Sequence, residues 1–222
     1  MKDHTPARIG LVHAVQVAMA PVEAAFGECW PAAVRMNVFD DTLAPDLEHA
    51  GRLTDELYAR IAMLTDYCID SGCVAVLFTC SSFGAAIEAR ARSAKVPVLK
   101  PNEAMFEKAL VFGSKIGMLT TFPPAAMPME VEFFAEANRQ GVAATIKTLC
   151  VSEAMVAAKS GDYDRHNLLL REAAAHFADY DALLLAQFSM APALCEVRQG
   201  VDIPVLSSPH AAVEKLKKLL GH

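Results

Sequence analysis

Short runs rich in apolar residues recur along the chain at residues 9–12, 34–39, 74–78, 96–99, 116–119, 146–149, 182–185 and 203–206. Runs of that length and character predict buried parallel strands. Longer segments with helical spacing separate most of them, at residues 53–71, 84–93, 128–140, 166–178 and 210–220. Strands alternating with helices are the mark of βαβ units, so the pattern predicts an α/β fold with parallel sheets.

The pattern also repeats. When the chain is slid against itself by 107 positions, Ile9-Gly10 falls on Ile116-Gly117, Pro21 on Pro128, Leu77 on Leu184 and Ser82 on Ser189. Pro97-Val98-Leu99 falls on Pro204-Val205-Leu206, and Glu107-Lys108 on Glu214-Lys215. The identities sit at equivalent structural places, without gaps, which predicts two halves of one topology. We expect residues 1–100 with 207–222 to form a first α/β lobe and residues 101–206 a second. The expected arrangement is a pseudo-twofold with a site in the cleft between the lobes, because ligands of open α/β sheets bind beyond the carboxyl ends of the strands.

Composition narrows the function. The 222 residues are 21% charged and carry a net charge of −6 with no long basic run, which argues against a nucleic-acid surface. Lys2 and Arg8 precede an Ala- and Val-rich stretch that imitates a signal peptide, but His13, Gln16 and Glu23 interrupt it, so it reads as a strand followed by a helix. No apolar run is long enough for a membrane-spanning helix. The six cysteines are scattered without C-x-x-C spacing, which fits neither a zinc site nor a disulfide framework and suits a reducing cytoplasm.

At the end of the strand at 74–78 stands Thr79-Cys80-Ser81-Ser82-Phe83-Gly84, a small polar turn before a helical segment. A thiol just ahead of a helix N-terminus meets the positive end of the helix dipole, which favours the thiolate and suits it to act as base, acid or nucleophile. The hydroxyls and backbone N–H groups of Ser81 and Ser82 can hold a carboxylate there. The competing reading is a small core residue, as for the other five cysteines, followed by two capping serines. In the second half the equivalent turn is Gln187-Phe188-Ser189-Met190, so Gln187 matches Cys80. A carboxamide is neither acid nor base at neutral pH.

Paired strand-turn-helix units of this kind resemble the Asp/Glu/hydantoin racemase superfamily, which includes maleate isomerase and arylmalonate decarboxylase. The resemblance spans the chain and rests on residues 9–14, Phe39-Asp40-Asp41-Thr42-Leu43, the Cys80 turn, Val96-Pro97-Val98, residues 116–121 and Ile203-Pro204-Val205. It implies a small carboxylic-acid substrate, no cofactor and no metal. It makes Cys80 the proton-transfer residue. It gives the carboxylate to Ser81, Ser82 and the Thr120-Thr121-Phe122 turn, and substrate binding as a whole to these with Thr79, Gln187, Phe188 and Ser189.

The departure is Gln187, which stands where the family has its second cysteine. Inversion needs a proton-transfer group on each face of the carbanion. His13, at the end of the first strand, and Asp41, after the second, are candidates for that group, although an aspartate there also suits a turn cap. A decarboxylase using Cys80 alone needs only one donor, and a catalytically silent small-acid binding protein needs none. His166, His176, His210 and His222 lack metal-ligand spacing and read as solvated helix positions, and Met19 and Met190 as apolar walls near the site. Related enzymes make a homo-oligomer plausible, and neither nucleic acid nor membrane is an expected partner.

Overall fold

The computed structural model describes residues 6–222; Lys2, and with it the start of the expected first lobe, lies outside them. The described chain divides into two compact units, one ending at Pro101 and rejoined at Ala212–His222, the other Asn102–Ala211. The first contains β1 (Arg8–His13), α1 (Met19–Cys29), β2 (Val34–Phe39), α2 (Leu43–Ala50), α3 (Asp55–Asp70), β3 (Ala75–Phe78), α4 (Gly84–Ala91) and β4 (Val98–Leu99). Its strands form one parallel sheet in the order β2-β1-β3-β4. Every residue of β3 is buried, as its unbroken apolar run requires.

The second unit contains α5 (Glu103–Phe112), β5 (Lys115–Thr120), α6 (Pro123–Gln140), β6 (Thr145–Cys150), α7 (Ser152–Lys159), α8 (Tyr163–Ala174), β7 (Ala182–Leu185), α9 (Leu194–Arg198) and β8 (Val205–Ser207). Its sheet has the same topology, β6-β5-β7-β8, again parallel. The last helix, α10 (Ser208–Leu219), begins in this unit and ends in the first. The 107-residue offset carries β1 onto β5 and β3 onto β7 at both ends. It breaks at the second strand: β2 begins at Val34 and β6 at Thr145, four residues later than a gapless register allows.

The repeated Ile-Gly pair has a packing cause. Side chains alternate across a strand, so Gly10, Val12 and Ala14 share one face of the first sheet. There the core holds Val12, Val76, Phe78, Ile61, Leu64 and Cys68, with Cys80 packed against it. A Cβ on Gly10 would stand 2.7 Å from Cys68 Sγ and 2.8 Å from Cys68 Cβ. A Cβ on Gly117 would stand 2.8 Å from Cγ of the fully buried Phe177. In both units the bare backbone lets the covering layer approach the central strand.

Among the described residues no helix is long and apolar enough to cross a membrane. Helix α6 begins at Pro123-Pro124, where a missing N–H costs nothing, and not at Pro128, which lies inside it. The other cysteines are not uniformly buried. Cys68 and Cys73 are; Cys29 and Cys150 are half-buried and Cys195 is exposed. Burial pushes the Cys68 thiol up to about 12, with the neighbouring Cys73 adding to the effect, so this thiol is an inert core group.

Candidate active site

In the first unit the chain leaves β3 through Thr79 and reaches Cys80 in an extended conformation, φ −119° and ψ 121°. A single 3₁₀ turn, Ser81–Phe83, then leads into α4. Phe83 is buried and anchors the turn, whereas Cys80 and Ser81 are half-buried and Ser82 is exposed. The thiol thus sits at the carboxyl edge of a central strand, beside two hydroxyls and the open N–H groups of a helical start, a setting that suits an anion. Lys100, at the end of β4, passes the same turn: a Cβ on Gly84 would meet its Cδ at 3.8 Å. Its ammonium lies 3.9 Å from Glu88.

His13 lies elsewhere. Alternation groups it with Leu11 and Ile9, on the face opposite Val12, Phe78 and Cys80. It is completely buried, with Nδ1 2.9 Å from Thr79 Oγ1 and Nε2 2.8 Å from Asn37 Oδ1. Asn37 donates its Nδ2–H to Glu23 Oε1 at 2.7 Å, and Arg35 donates to the same carboxylate at 3.0 Å. That fixes the amide, so His13 donates from Nε2 and accepts the Thr79 hydroxyl proton at Nδ1. Burial holds His13 below the ordinary imidazole value, while the Asn37 bond and the Glu23 charge pull the other way.

The structure therefore does not bring His13 to Cys80. Asp41 is exposed beyond β2 and makes no hydrogen bond or ion pair among the described residues. The turn cap is its neighbour Asp40, which accepts from Thr42 N–H at 3.2 Å and is gripped by Arg60, whose Nε lies 2.6 Å from Asp40 Oδ2. The ends of β2 and β3 flank β1, which sets them about 10 Å apart.

In the second unit Gln187 has nearly the backbone of Cys80, φ −123° and ψ 144°. Its Oε1 accepts from both Thr121 N–H and Thr121 Oγ1–H at 2.8 Å. A backbone N–H can only donate, so this end of the carboxamide is the oxygen and the Nε2–H₂ end is left as donor. Thr120 and Thr121 are buried; the Thr120 hydroxyl is 3.3 Å from Phe122 O, and Phe122 itself is exposed. Phe188 is buried and Ser189 half-buried. Met190 is not a site wall but a fully buried core residue.

The end of β8 adds residues that sequence reasoning passed over. Ser207 Oγ lies 2.6 Å from His210 Nδ1, and the buried Ser208 donates to Asn102 Oδ1 at 2.7 Å. Asn102 Nδ2 is buried with no hydrogen-bond partner among the described residues. His210 is half-buried and His166 buried, so these two are not the solvated helix positions expected; His222 is exposed, past the end of α10, with its ring tilted against Trp30 at 5.2 Å. The strand-end rule that singled out Cys80 applies equally to Ser207-Ser208-Pro209-His210. A concavity of about 540 Å³, lined by Arg8, Val34, Gly72, Val74 and Leu220, lies at the amino ends of β1, β2 and β3, away from this chemistry.

The family model for Asp/Glu/Hydantoin racemase matches residues 15–179. In sequence no curated protein matches. Among solved structures, the chain is similar to an allantoin racemase from Klebsiella pneumoniae at 17% identity and a TM-score of 0.72, covering 96% of this chain and 87% of that one. The Picrophilus torridus aspartate racemase is 17% identical with a TM-score of 0.71, over 97% and 94% of the two chains. An unliganded arylmalonate decarboxylase is 17% identical with a TM-score of 0.67, over 97% and 93%. At such identity these likenesses show the fold.

Proposed function

We propose that this chain, which belongs to the Asp/Glu/hydantoin racemase family, is a cofactor-independent racemase or isomerase acting at the carbon beside the carboxylate of a small acid, with Cys80 moving the proton. The observation that carries the reading is the half-buried Cys80 at the edge of β3, beside two hydroxyls and a helical start. The Cys80 thiolate removes the proton, and N–H and O–H donors at Ser81 and Ser82 hold the carboxylate as charge develops on it. Gln187, its oxygen bonded to Thr121, offers its two N–H donors to a substrate oxygen, with Ser189 beside it.

Thr79, Thr120 and Phe188 serve from inside the fold, and His13 is a positioning residue that orients Thr79. Asp41 is assigned to the surface. A second reading, decarboxylation with Cys80 as sole proton donor, is favoured by one observation: the group matching Cys80 is a carboxamide, which cannot exchange a proton on the required timescale.

The test is proton NMR in deuterated buffer on aspartate, glutamate, allantoin, 5-substituted hydantoins, 2-aryl acids and arylmalonates, comparing native protein with Cys80→Ala. Cys80-dependent deuteration beside a carboxyl, with inversion, is the expected result. Malonate consumption without exchange selects the decarboxylase. Activity that survives Cys80→Ala refutes the assignment, and ligand binding without turnover identifies a silent small-acid binding protein.

A further inference from the structure

Helix α3 ends in a turn that brings two thiols together. Gly72 is left-handed, φ 83°; its N–H donates to Ile69 O at 2.9 Å, and the Cys73 N–H donates back to Cys68 O at 3.0 Å. A helix end of this kind sets the residue after the glycine against the last turn of the helix, here Cys73 against Cys68. Both sulfurs lie over the bare backbone of β1: a Cβ on Gly10 would be 2.7 Å from Cys68 Sγ and 3.5 Å from Cys73 Sγ. The thiols are therefore no further apart than those two distances together allow.

A third sulfur completes the group. Register pairs Met36 of β2 with Gly10, which turns its side chain to the same face, and Cys73 Sγ lies 3.7 Å from Met36 Sδ. Metal–sulfur bonds of about 2.3 Å at trigonal angles hold neighbouring sulfurs about 4 Å apart, so this separation already suits an ion bound by both. Among the described residues no three His, Cys, Asp or Glu side chains are grouped to hold a metal; here the third donor is a thioether. Zinc takes four ligands drawn from thiolates, imidazoles and carboxylates, whereas copper(I) accepts a set of two thiolates and a thioether.

Access and charge fit as well. Cys73 is buried between exposed Gly72 and Val74, which with Arg8 line the concavity at the amino ends of the strands. Arg8 Nη1 donates to Ser71 O at 2.6 Å, beside the turn. Burial pushes the Cys73 thiol up, and the Arg8 charge pulls it back down. Cys68 lacks the thiolate that an electrophile or oxidant needs, but a thiophilic cation itself displaces the proton from sulfur.

We propose that Met36, Cys68 and Cys73 form a copper(I) site at the amino end of the first sheet, beyond the opposite end of β3 from Cys80 and independent of the reaction proposed there. Copper(I) binds both cysteines as thiolates and Met36 as a neutral thioether. Two S–H bonds break, two copper–thiolate bonds form, the protons pass to solvent and no electron moves. The bound group carries one net negative charge, which the Arg8 guanidinium offsets. The ion ties the end of α3 to β2 across β1.

The experiment offers copper(I), anaerobically and as its bicinchoninate complex, to the reduced full-length chain, measuring the copper transferred and its neighbours by X-ray absorption. Native protein is expected to withdraw one equivalent, to release about two protons with it, and to show sulfur neighbours alone at about 2.3 Å. Cys68→Ala and Cys73→Ala lose that equivalent, whereas Cys80→Ala and Cys195→Ala keep it. Met36→Leu, which preserves volume and apolarity, binds about 10-fold or more weakly; with Cys73→Ser it serves as the test if the alanine variants do not fold. Amide exchange over residues 68–76 slows about 10-fold or more on loading of native protein, and copper leaves it unchanged in Cys73→Ser. Copper left with the chelator by native protein overturns the assignment. So does an equivalent that survives loss of both Cys68 and Cys73, or one whose neighbours are nitrogen or oxygen.

Discussion

Gly117 offers a quantitative test of the packing that sets the strand ends in place. It is the third residue of β5, and a Cβ there would lie 2.8 Å from Phe177 Cγ, 3.0 Å from Cε1 and closer still to Cδ1. Phe177 cannot yield easily: it is fully buried, joined to the second unit's core and edge-on to Tyr180 at 5.1 Å. Overpacking of this severity costs ~3 kcal/mol, the upper end of the usual range. The lower backbone entropy of alanine in the unfolded chain offsets ~0.5–1 kcal/mol of that. Gly117→Ala should therefore destabilise the second unit by about 2 kcal/mol, or about 30-fold in its opening equilibrium. Native-state amide exchange over β5 and β7 reads that change directly. In a Phe177→Ala background all three clashing atoms are gone, and the same substitution should cost less than ~0.5 kcal/mol. Exchange within twofold of native in Gly117→Ala, or an equal cost in both backgrounds, would refute the close-approach argument.

Burial of neutral His13 predicts a pH dependence. The unfolded chain takes up a proton near pH 6.5 that folded His13 still refuses, so this stabilisation is complete above that pH and is lost as pH falls through the lower folded value. Urea midpoints between pH 7.5 and 5.5 should fall more steeply for native protein than for His13→Gln, and parallel slopes would contradict the account. Thr121→Val removes one of the two donors that Thr121 offers Gln187 Oε1, worth ~1 kcal/mol, and should raise KM about fivefold with kcat little changed. A fall in kcat alone would count against Gln187 as a binding group. Arg60→Met frees Asp40 and Asp46, both held at 2.6 Å, and should cost ~1 kcal/mol and speed amide exchange in α2 while turnover is unaffected. Unchanged exchange would mean the ion pairs contribute nothing there.

The strands were the most legible part of the fold. The limits of β2 and β7 coincide with the expected runs: Asp40 follows the first directly, and Asp181 stands just ahead of the second. Helices α2, α5 and α7 had no such clarity: each has only eight to ten residues, too few for a helical period to stand out in the sequence. Pro128 misled because a proline in a helical pattern suits the first turn, and Pro123-Pro124 already filled that place. Cys80 was readable since its chemistry lies in one contiguous turn. The Glu23-Asn37-His13-Thr79 chain joins α1, β2, β1 and the residue just past β3, a grouping that no single stretch of sequence displays. The displacement of β6 was already visible in the runs at 34–39 and 146–149, whose starts differ by more than the 107 positions that align the other strands.

The bond between Gln187 and Thr121 also bears on which other side chains this turn can hold. Cys80 and Gln187 stand on almost superimposable backbone angles, so exchanging glutamine for a thiol is a single, sterically simple step. Yet the carboxamide oxygen is the acceptor for a buried threonine's N–H and hydroxyl, and a cysteine would strand both donors at a cost of about 1–3 kcal/mol each. Gln187→Cys alone is therefore expected to leave the Thr121 N–H and hydroxyl without their acceptor, so a thiol is tolerated at this turn only when Thr121 is changed with it.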